Sequence, residues 1–303
     1  MANPISTGNH PAALWPGVHK FVMGRYPMHG NEYNEIFKVE KSSMAYEEDV
    51  ETTSFGLASQ QGQGTGVSYD SHTQGATKRY THVAYGLGYI VTREERDDNL
   101  YRSKSFQRAG MLADSFKVTK ETVAANVLNR AFNSSYTGMD GKELLATDHP
   151  TLAGTFANEP AVAADLNEAS LEDAVTAIQQ FKNSRGLQVR VMPEKLIVAP
   201  SNWANAERIL NSDLRSGTDF NDVNALRSKR MLPGGAVVNH YLTDADAWFV
   251  KTNVDNGLCM FMRTAFEFTR DNDFDTSNAK AKGYERYSVG WTDPRGLYGS
   301  PGA

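Results

Sequence analysis

SFGLASQQGQGTGVSYDSHTQGATKRY, residues 54–80, is the stretch on which the fold turns. Gly56, Gly62, Gly64, Gly66 and Gly75 are set among small polar residues, with Phe55, Leu57 and Tyr69 as the main apolar content. A run of this kind cannot bury enough surface to offset the entropy of ordering it, yet the segments on either side read as ordered. Phe55 and Leu57 precede the polar centre, and Val83, Tyr85 and Leu87 follow it. This predicts a two-stranded hairpin whose limbs, of roughly 13 residues at ~3.3 Å each, reach ~40 Å. An isolated ribbon is marginally stable in water, so it must lie against something else, and another subunit is the candidate.

On the N-terminal side, residues 1–29 are rich in Pro, Gly and His and read as an extended arm with apolar anchors such as Trp15 and Phe21. Residues 34–42 are a short mixed segment, and AYEEDVETT (45–53) reads as acidic and solvated. On the C-terminal side, YTHVAYGLGYIVT (80–92) carries a strand signal weakened by Gly86 and Gly88.

Residues 93–133 hold the strongest helix signal. Phe106, Ala109, Ala113, Phe116, Val123, Val127 and Ala131 recur at steps of three and four, interrupted at Lys120, with Ser103 or Ser105 as the N-cap. A helix of ~28 residues is ~42 Å long. From Gly138 the pattern is mixed α/β. Ser170 and Asp173 form an S-x-x-D cap for a helix closed by Gly186, KLIVAP (195–200) is a buried strand, and Ser201 caps a short helix through Leu210. Residues 212–232 read as an exposed loop. Segments 236–242, 247–251, 258–262, 266–270 and 284–291 read as strands.

At 303 residues and 40% hydrophobic content the chain can bury a sizeable core, and its formal net charge of −5 argues against broad electrostatic binding of nucleic acid. Cys259 is the single cysteine, which rules out an internal disulfide and suits a reducing compartment. The opening MANPISTGNHPAALWPG lacks the marks of a secretion signal, and no apolar run approaches membrane-span length. Cytoplasmic synthesis is expected.

Candidates for chemistry are few. Asp148-His149-Pro150 pairs a histidine with a carboxylate, as a general base requires, but a turn or domain junction is the plainer reading. Asp271, Asp273 and Asp275 alternate as in a calcium loop, whose required glycine and glutamate are here Thr276 and Lys282. Gly62, Gly64 and Gly66 lack the lysine and following helix of a phosphate cradle. Cys259 in LCMFM reads as a small buried hydrophobe. Lys78 and Arg79 close the glycine-rich run opposite Glu47, Glu48, Asp49 and Glu51, either solvated or ion-paired with a neighbour. No catalytic, cofactor or metal site is expected.

The order of parts, together with GKELLATDHP (141–150), SLEDAVTAIQQFKNSRG (170–186), KLIVAPSNWANAERIL (195–210) and YERYSVGWTDPRGLYGS (284–300), resembles tailed-phage major capsid proteins of the Hong Kong 97-like fold, and most of all the Mu-like major head subunits. The resemblance implies an α+β chain with an extended N-arm (1–45), an E-loop hairpin and flanking P-domain strands (46–92), a P-domain spine helix (93–137), an α/β A-domain (138–253) and returning strands (254–303). It implies a protein that assembles in the bacterial cytoplasm into hexamers and pentamers of an icosahedral shell around the phage genome. Its partners would be a separate scaffold protein, a portal, a cement or decoration protein, and DNA held by weak contacts at the inner surface.

The same resemblance gives Phe55, Leu57, Gly62, Gly64, Gly66, Tyr69, Lys78 and Arg79 to the contact between subunits, and Trp15 and Phe21 to contacts of the N-arm. Some relatives join this loop to a neighbour through a Lys–Asn isopeptide bond; Lys78, at the base of the hairpin, is not assigned that chemistry. The alternatives are an encapsulin-like compartment for protein cargo and a hydrolase or lyase centred on Asp148 and His149.

Overall fold

A computed structural model of the chain describes residues 15–26, 30–97, 101–214, 223–273 and 275–303. In chain order the first elements are α1 (Trp15–Arg25), α2 (Tyr33–Ile36), β1 (Lys38–Lys41), β2 (Tyr46–Thr52), β3 (Gln74–Thr81), β4 (Val83–Val91), α3 (Arg93–Asp97) and α4 (Tyr101–Asn129). There follow β5 (His149–Thr151), β6 (Gly154–Phe156), α5 (Glu168–Gln179), β7 (Pro193–Val198), α6 (Trp203–Asn211) and α7 (Ala225–Ser228). The chain closes with β8 (Ala236–Val238), β9 (Trp248–Thr252), β10 (Leu258–Asn272), β11 (Ala279–Trp291) and β12 (Leu297–Ser300).

One sheet has the order β1-β10-β11-β4 and a second the order β12-β9-β7-β8; β2 pairs with β3, and β5 with β6. Helices and strands combine in an α+β fold, as expected. Along β11, Ala279, Ala281, Gly283, Glu285 and Tyr287 alternate with exposed Lys280, Lys282 and Tyr284, so one face of the first sheet is available to α4. Phe116 of that helix packs with Phe266 and Phe268, and Gly283 makes the approach possible: a Cβ there would lie 2.5 Å from Phe116 Cε2. The second half of α4 continues into a cluster shared by both sheets, in which Ala124 and Leu128 meet Phe249, Met260, Tyr287 and Trp291. On the second sheet, Leu171, Val175 and Ile178 of α5 and Ala206 and Ile209 of α6 cover Leu196, Val198, Trp248 and Val250.

Lys120, where the apolar period fails, is buried and ion-paired to Glu285 of β11 at 2.6 Å. The helix begins at Tyr101, so Ser103 and Ser105 lie inside it and neither is its cap. The cap of α5 is likewise one turn early: Asn167 accepts from the Ser170 amide while Ser170 Oγ accepts from the Asn167 amide. That helix ends at Gln179 and not at Gly186, which occupies a later turn at φ +82°. Ser201 lies in a 3-10 turn and its hydroxyl donates to the Ala245 carbonyl, so it does not cap α6.

The N-terminal segment is not extended where it is described. Residues 15–25 form α1, with Val22 fully buried against α4 and Arg25 bonded to Asp114 at 2.6 Å. Residues 1–14 lie outside the described residues, as does part of the expected loop 212–232. The strands expected at 258–262 and 266–270 are one strand, β10, with register shifts between Met262 and Thr264 and between Thr264 and Glu267.

Candidate assembly surface

The hairpin exists, with its paired part displaced. The acidic run 46–52, expected to be solvated coil, is strand β2; it pairs antiparallel with β3 from Tyr46↔Thr81 to Thr52↔Gln74. Exposure alternates between full and partial along β2 because one face of the ribbon lies against its own chain, where Tyr80 of β3 is buried beside Cys259 and Phe261 and Asp49 accepts from the Thr292 hydroxyl at 2.7 Å, while the other face meets solvent. Val83, Tyr85 and Leu87 do not belong to this limb: past His82 the chain enters the first sheet as β4 and pairs with β11.

Between the strands, residues 54–73 form no ladder. The tip is a turn in which the Thr65 amide donates to Gly62 O at 3.2 Å and Gly64 takes φ +81°, a conformation glycine adopts without strain. Ser59 and Ser68 hydroxyls meet across the loop at 3.0 Å. Phe55, Leu57, Val67 and Tyr69 stand in solvent, Leu57 at 82% and Tyr69 at 96% exposure.

The base of the loop is tied to its own chain. Arg185 reaches Asp70 Oδ2 at 2.6 Å and donates to Ser71 O at 2.5 Å, Asn183 Nδ2 donates to Ser54 Oγ at 2.7 Å, and the Gly56 amide donates to Asp70 at 2.8 Å. The Gly56 and Ser71 amides together with Arg185 hold the Asp70 carboxyl below the usual range. Arg79 pairs with Glu48 at 2.6 Å and lies over the Tyr46 ring; Lys78 lies over the Trp291 ring, 4.8 Å from its centre, where burial lowers its pKa. Both cations are therefore engaged within their own chain. Phe21 on α1 is 38% exposed, and Trp15 opens α1 with its side chain outside the described part.

Where the ribbon joins the sheet, a polar cluster fills the joint. His82 Nε2 lies 2.9 Å from Ser42 Oγ, and Nδ1 3.1 Å from Ser288 Oγ of β11. Ser42 Oγ donates to Glu47 at 2.5 Å, leaving its lone pairs for the imidazole N–H. Burial, then the charge of Arg286, lowers the His82 pKa, against the pull of Glu47 and with a further push from Arg263. Nothing in the sequence pattern points to this cluster, because its members are far apart along the chain.

Asp148 and His149 do not form a dyad. His149 is fully buried; Nδ1 faces Asp140 at 2.6 Å, Nε2 faces Asn158 Oδ1 at 3.0 Å, and the ring stacks on Phe156. Asp148 turns outward to Lys142 at 2.6 Å. Asn158 is the missed residue of this region: its amide donates to the carbonyls of Leu144, Pro294 and Leu297 while its oxygen accepts from the Ala146 amide. Asp273 bonds Lys280 at 2.7 Å at the end of the β10–β11 hairpin. Among the described residues no group of His, Cys, Asp and Glu is arranged to hold a metal ion, and no helix is long and apolar enough to cross a membrane. Cys259 is buried, which pushes its thiol up to about 12.

The family described as "Phage capsid protein" matches residues 75–300. Among solved structures, the chain is similar to the capsid of a native GTA particle, at 13% identity over 90% of each chain with a TM-score of 0.57. It is similar to the virus-like particle from Pyrococcus furiosus at 10% identity, over 94% of this chain and 98% of that one, with a TM-score of 0.54. The capsid of cyanophage P-SCSP1u matches at 14% identity, over 89% and 87%, with a TM-score of 0.53. No curated protein matches the chain by sequence.

Proposed function

Since the chain belongs to the phage capsid protein family, we propose that the β2–β3 ribbon and its loop are the arm by which one subunit holds the next. The protein is a capsid protein that builds the shell of a phage, and its place is the virion. The observation that carries the role of the arm is the exposure of Phe55, Leu57, Val67 and Tyr69 on a loop with no core of its own. Covering them with a neighbour recovers apolar burial, and the same contact repeated head to tail closes rings. Hexamers and pentamers are the rings a closed icosahedral shell requires.

In this reading the first sheet with α4 is the P-domain and the second sheet with α5 and α6 the A-domain. The subunit is of the Mu-like kind and assembles in the host cytoplasm with a separate scaffold, a portal and a decoration protein, around DNA contacted weakly. The fold is shared with a virus-like particle, so the family match is what favours a phage head over a protein-cargo compartment.

Replacing residues 57–69 by a short turn tests the role of the arm. An interface of ordinary size buries ~1,600 Å², and losing part of it shifts a many-subunit equilibrium strongly. The variant is expected to be soluble and folded by circular dichroism and to form no stable shells by light scattering and electron microscopy. Stable shells of normal size would overturn the assignment. DNA in particles made during infection, and not a protein cargo, is the expected content.

A further inference from the structure

Asn256 and Gly257 form the one Asn-Gly step in the sequence. They lie in the turn between β9 and β10, where Asn256 is exposed and Gly257 is buried. The fold calls for both residue types. Asn256 takes φ +58°, in the left-handed region that asparagine enters more readily than most side chains. A Cβ at Gly257 would lie 2.7 Å from Gly296 Cα, so backbone meets backbone there and no larger residue fits without a shift.

That pair carries a reaction of its own. With no side chain at Gly257 to hinder it, the Gly257 nitrogen can attack Asn256 Cγ. The N–Cγ bond forms, the bond from Cγ to the side-chain nitrogen breaks, and ammonia leaves with the proton of the Gly257 amide, closing a cyclic imide. Water then opens the imide at either carbonyl to leave a normal or an iso-aspartyl link. The Asp293 amide donates to the Asn256 carbonyl at 3.1 Å, which polarises that peptide unit and makes its nitrogen, the one that attacks, a stronger acid. Asn253 in the same turn is a built-in contrast: its Oδ1 accepts from the Met192 amide at 2.8 Å, and the residue after it is the β-branched Val254.

The new carboxylate would fall in a crowded place. Asn256 lines a cavity of about 290 Å³ at the base of the ribbon, together with Glu51, Asp140, Asp255 and Asp293. Among the described lining residues the one cation is Arg295, already bonded to Asp293 at 3.1 Å. A further negative charge meets no free counter-charge there, and like charges in a confined space repel. We propose that Asn256 is a self-modification site, whose slow loss of ammonia adds a carboxylate to the cavity lined by Glu51 and loosens the ribbon from its own subunit as the protein ages.

Trypsin releases residues 252–263 as one peptide, between Lys251 and Arg263, so Asn253 and Asn256 are read together. The free subunit is incubated in warm buffer at pH 6 and pH 8, digested, and analysed by mass spectrometry with fragmentation that separates aspartyl from iso-aspartyl links. Conversion at Asn256 is expected to be at least about tenfold faster than at Asn253, whose following nitrogen is shielded by branched Val254. It is expected to be faster at pH 8 than at pH 6, because the attacking nitrogen must lose its proton. Asn256→Gly keeps the turn conformation and should show no conversion. Asn256→Asp supplies the charge at once: cleavage of the loop between residues 57 and 69 by a broad-specificity protease is expected to be several-fold faster than in the fresh parent. The aged parent should approach that rate, and aged Asn256→Gly should not. Conversion at Asn256 in the urea-unfolded chain but not in the folded one would overturn the proposal, because the fold would then protect the pair. Conversion in the folded chain with cleavage unchanged in Asn256→Asp and in the aged parent would overturn the effect on the ribbon.

Discussion

Lys120 Nζ lies 2.6 Å from Glu285 Oε2 with the two side chains 3% and 0% exposed, and the hydroxyl of Tyr26 donates to the same carboxylate at 3.0 Å. The contact fastens three elements, α4, β11 and the turn after α1, at one point. Lys120→Met leaves a carboxylate sealed from water without its counter-charge and is expected to cost about 3–5 kcal/mol in urea unfolding. Lys120→Met with Glu285→Leu is expected to recover most of that loss. A double-mutant cycle that shows simple additivity would mean the pair is not coupled.

His149, with an acceptor at each ring nitrogen, is a structural residue of the same kind. His149→Ala is expected to lower stability by about 3 kcal/mol, through the lost bonds and the cavity beside Phe156. Thermal unfolding of the free subunit reads the effect. A variant as stable as the parent would show that Asp140 and Asn158 do not depend on the imidazole.

The joint of the ribbon has a pH dependence of defined sign. An unfolded histidine takes up its proton near pH ~6.5, whereas burial and the neighbouring Arg286 hold His82 neutral to lower pH in the folded chain, Glu47 and Arg263 also facing it. The unfolded state then binds more protons, so His82 makes the folded subunit lose stability as pH falls below ~6.5, levelling only beneath the folded pKa. His82→Gln keeps a donor and an acceptor but does not titrate. The difference in unfolding free energy between the two proteins, measured from pH 7.5 to 5, is expected to narrow with acid; a constant difference contradicts the argument.

Arg185 is the tie between the loop and its own subunit, through Asp70 and Ser71. Arg185→Ala is expected to leave the melting temperature unchanged, because the contact is at the surface. Cleavage between residues 57 and 69 by a broad-specificity protease should become faster. Unchanged cleavage would show that the loop is held by other contacts.

How much of this was readable beforehand differs from element to element for physical reasons. The long helix was legible because its Ala and Phe positions repeat at three and four, and Lys120 broke the pattern since a buried ion pair looks like a surface residue in sequence. Strand β2 was not: Glu47, Glu48, Asp49 and Glu51 are poor strand formers, and because the half-covered face of β2 carries Glu47, Asp49 and Glu51 no apolar alternation betrays it. Strand β10 was read as two because bulges near Thr264 reset the alternation. The exposure of Phe55, Leu57 and Tyr69 was legible because a run of glycine and small polar residues offers no core in which to bury them. The cluster of Ser42, His82 and Ser288 depends on contacts between distant segments that no local pattern records.

The direct passage from β3 to β4, interrupted at His82 alone, also makes the ribbon a lever. β4 is hydrogen-bonded along its length to β11, and β11 holds the long helix through Gly283 and Glu285. The span from Ser42 to Ala45 is the second backbone tether of the ribbon, and the bonds from Arg185 and Asn183 to the loop base are side-chain tethers. A pull on the loop would therefore reach β4 and β11 through the backbone and the turn at residues 183–185 through side chains, so both sheets of the subunit would share the strain.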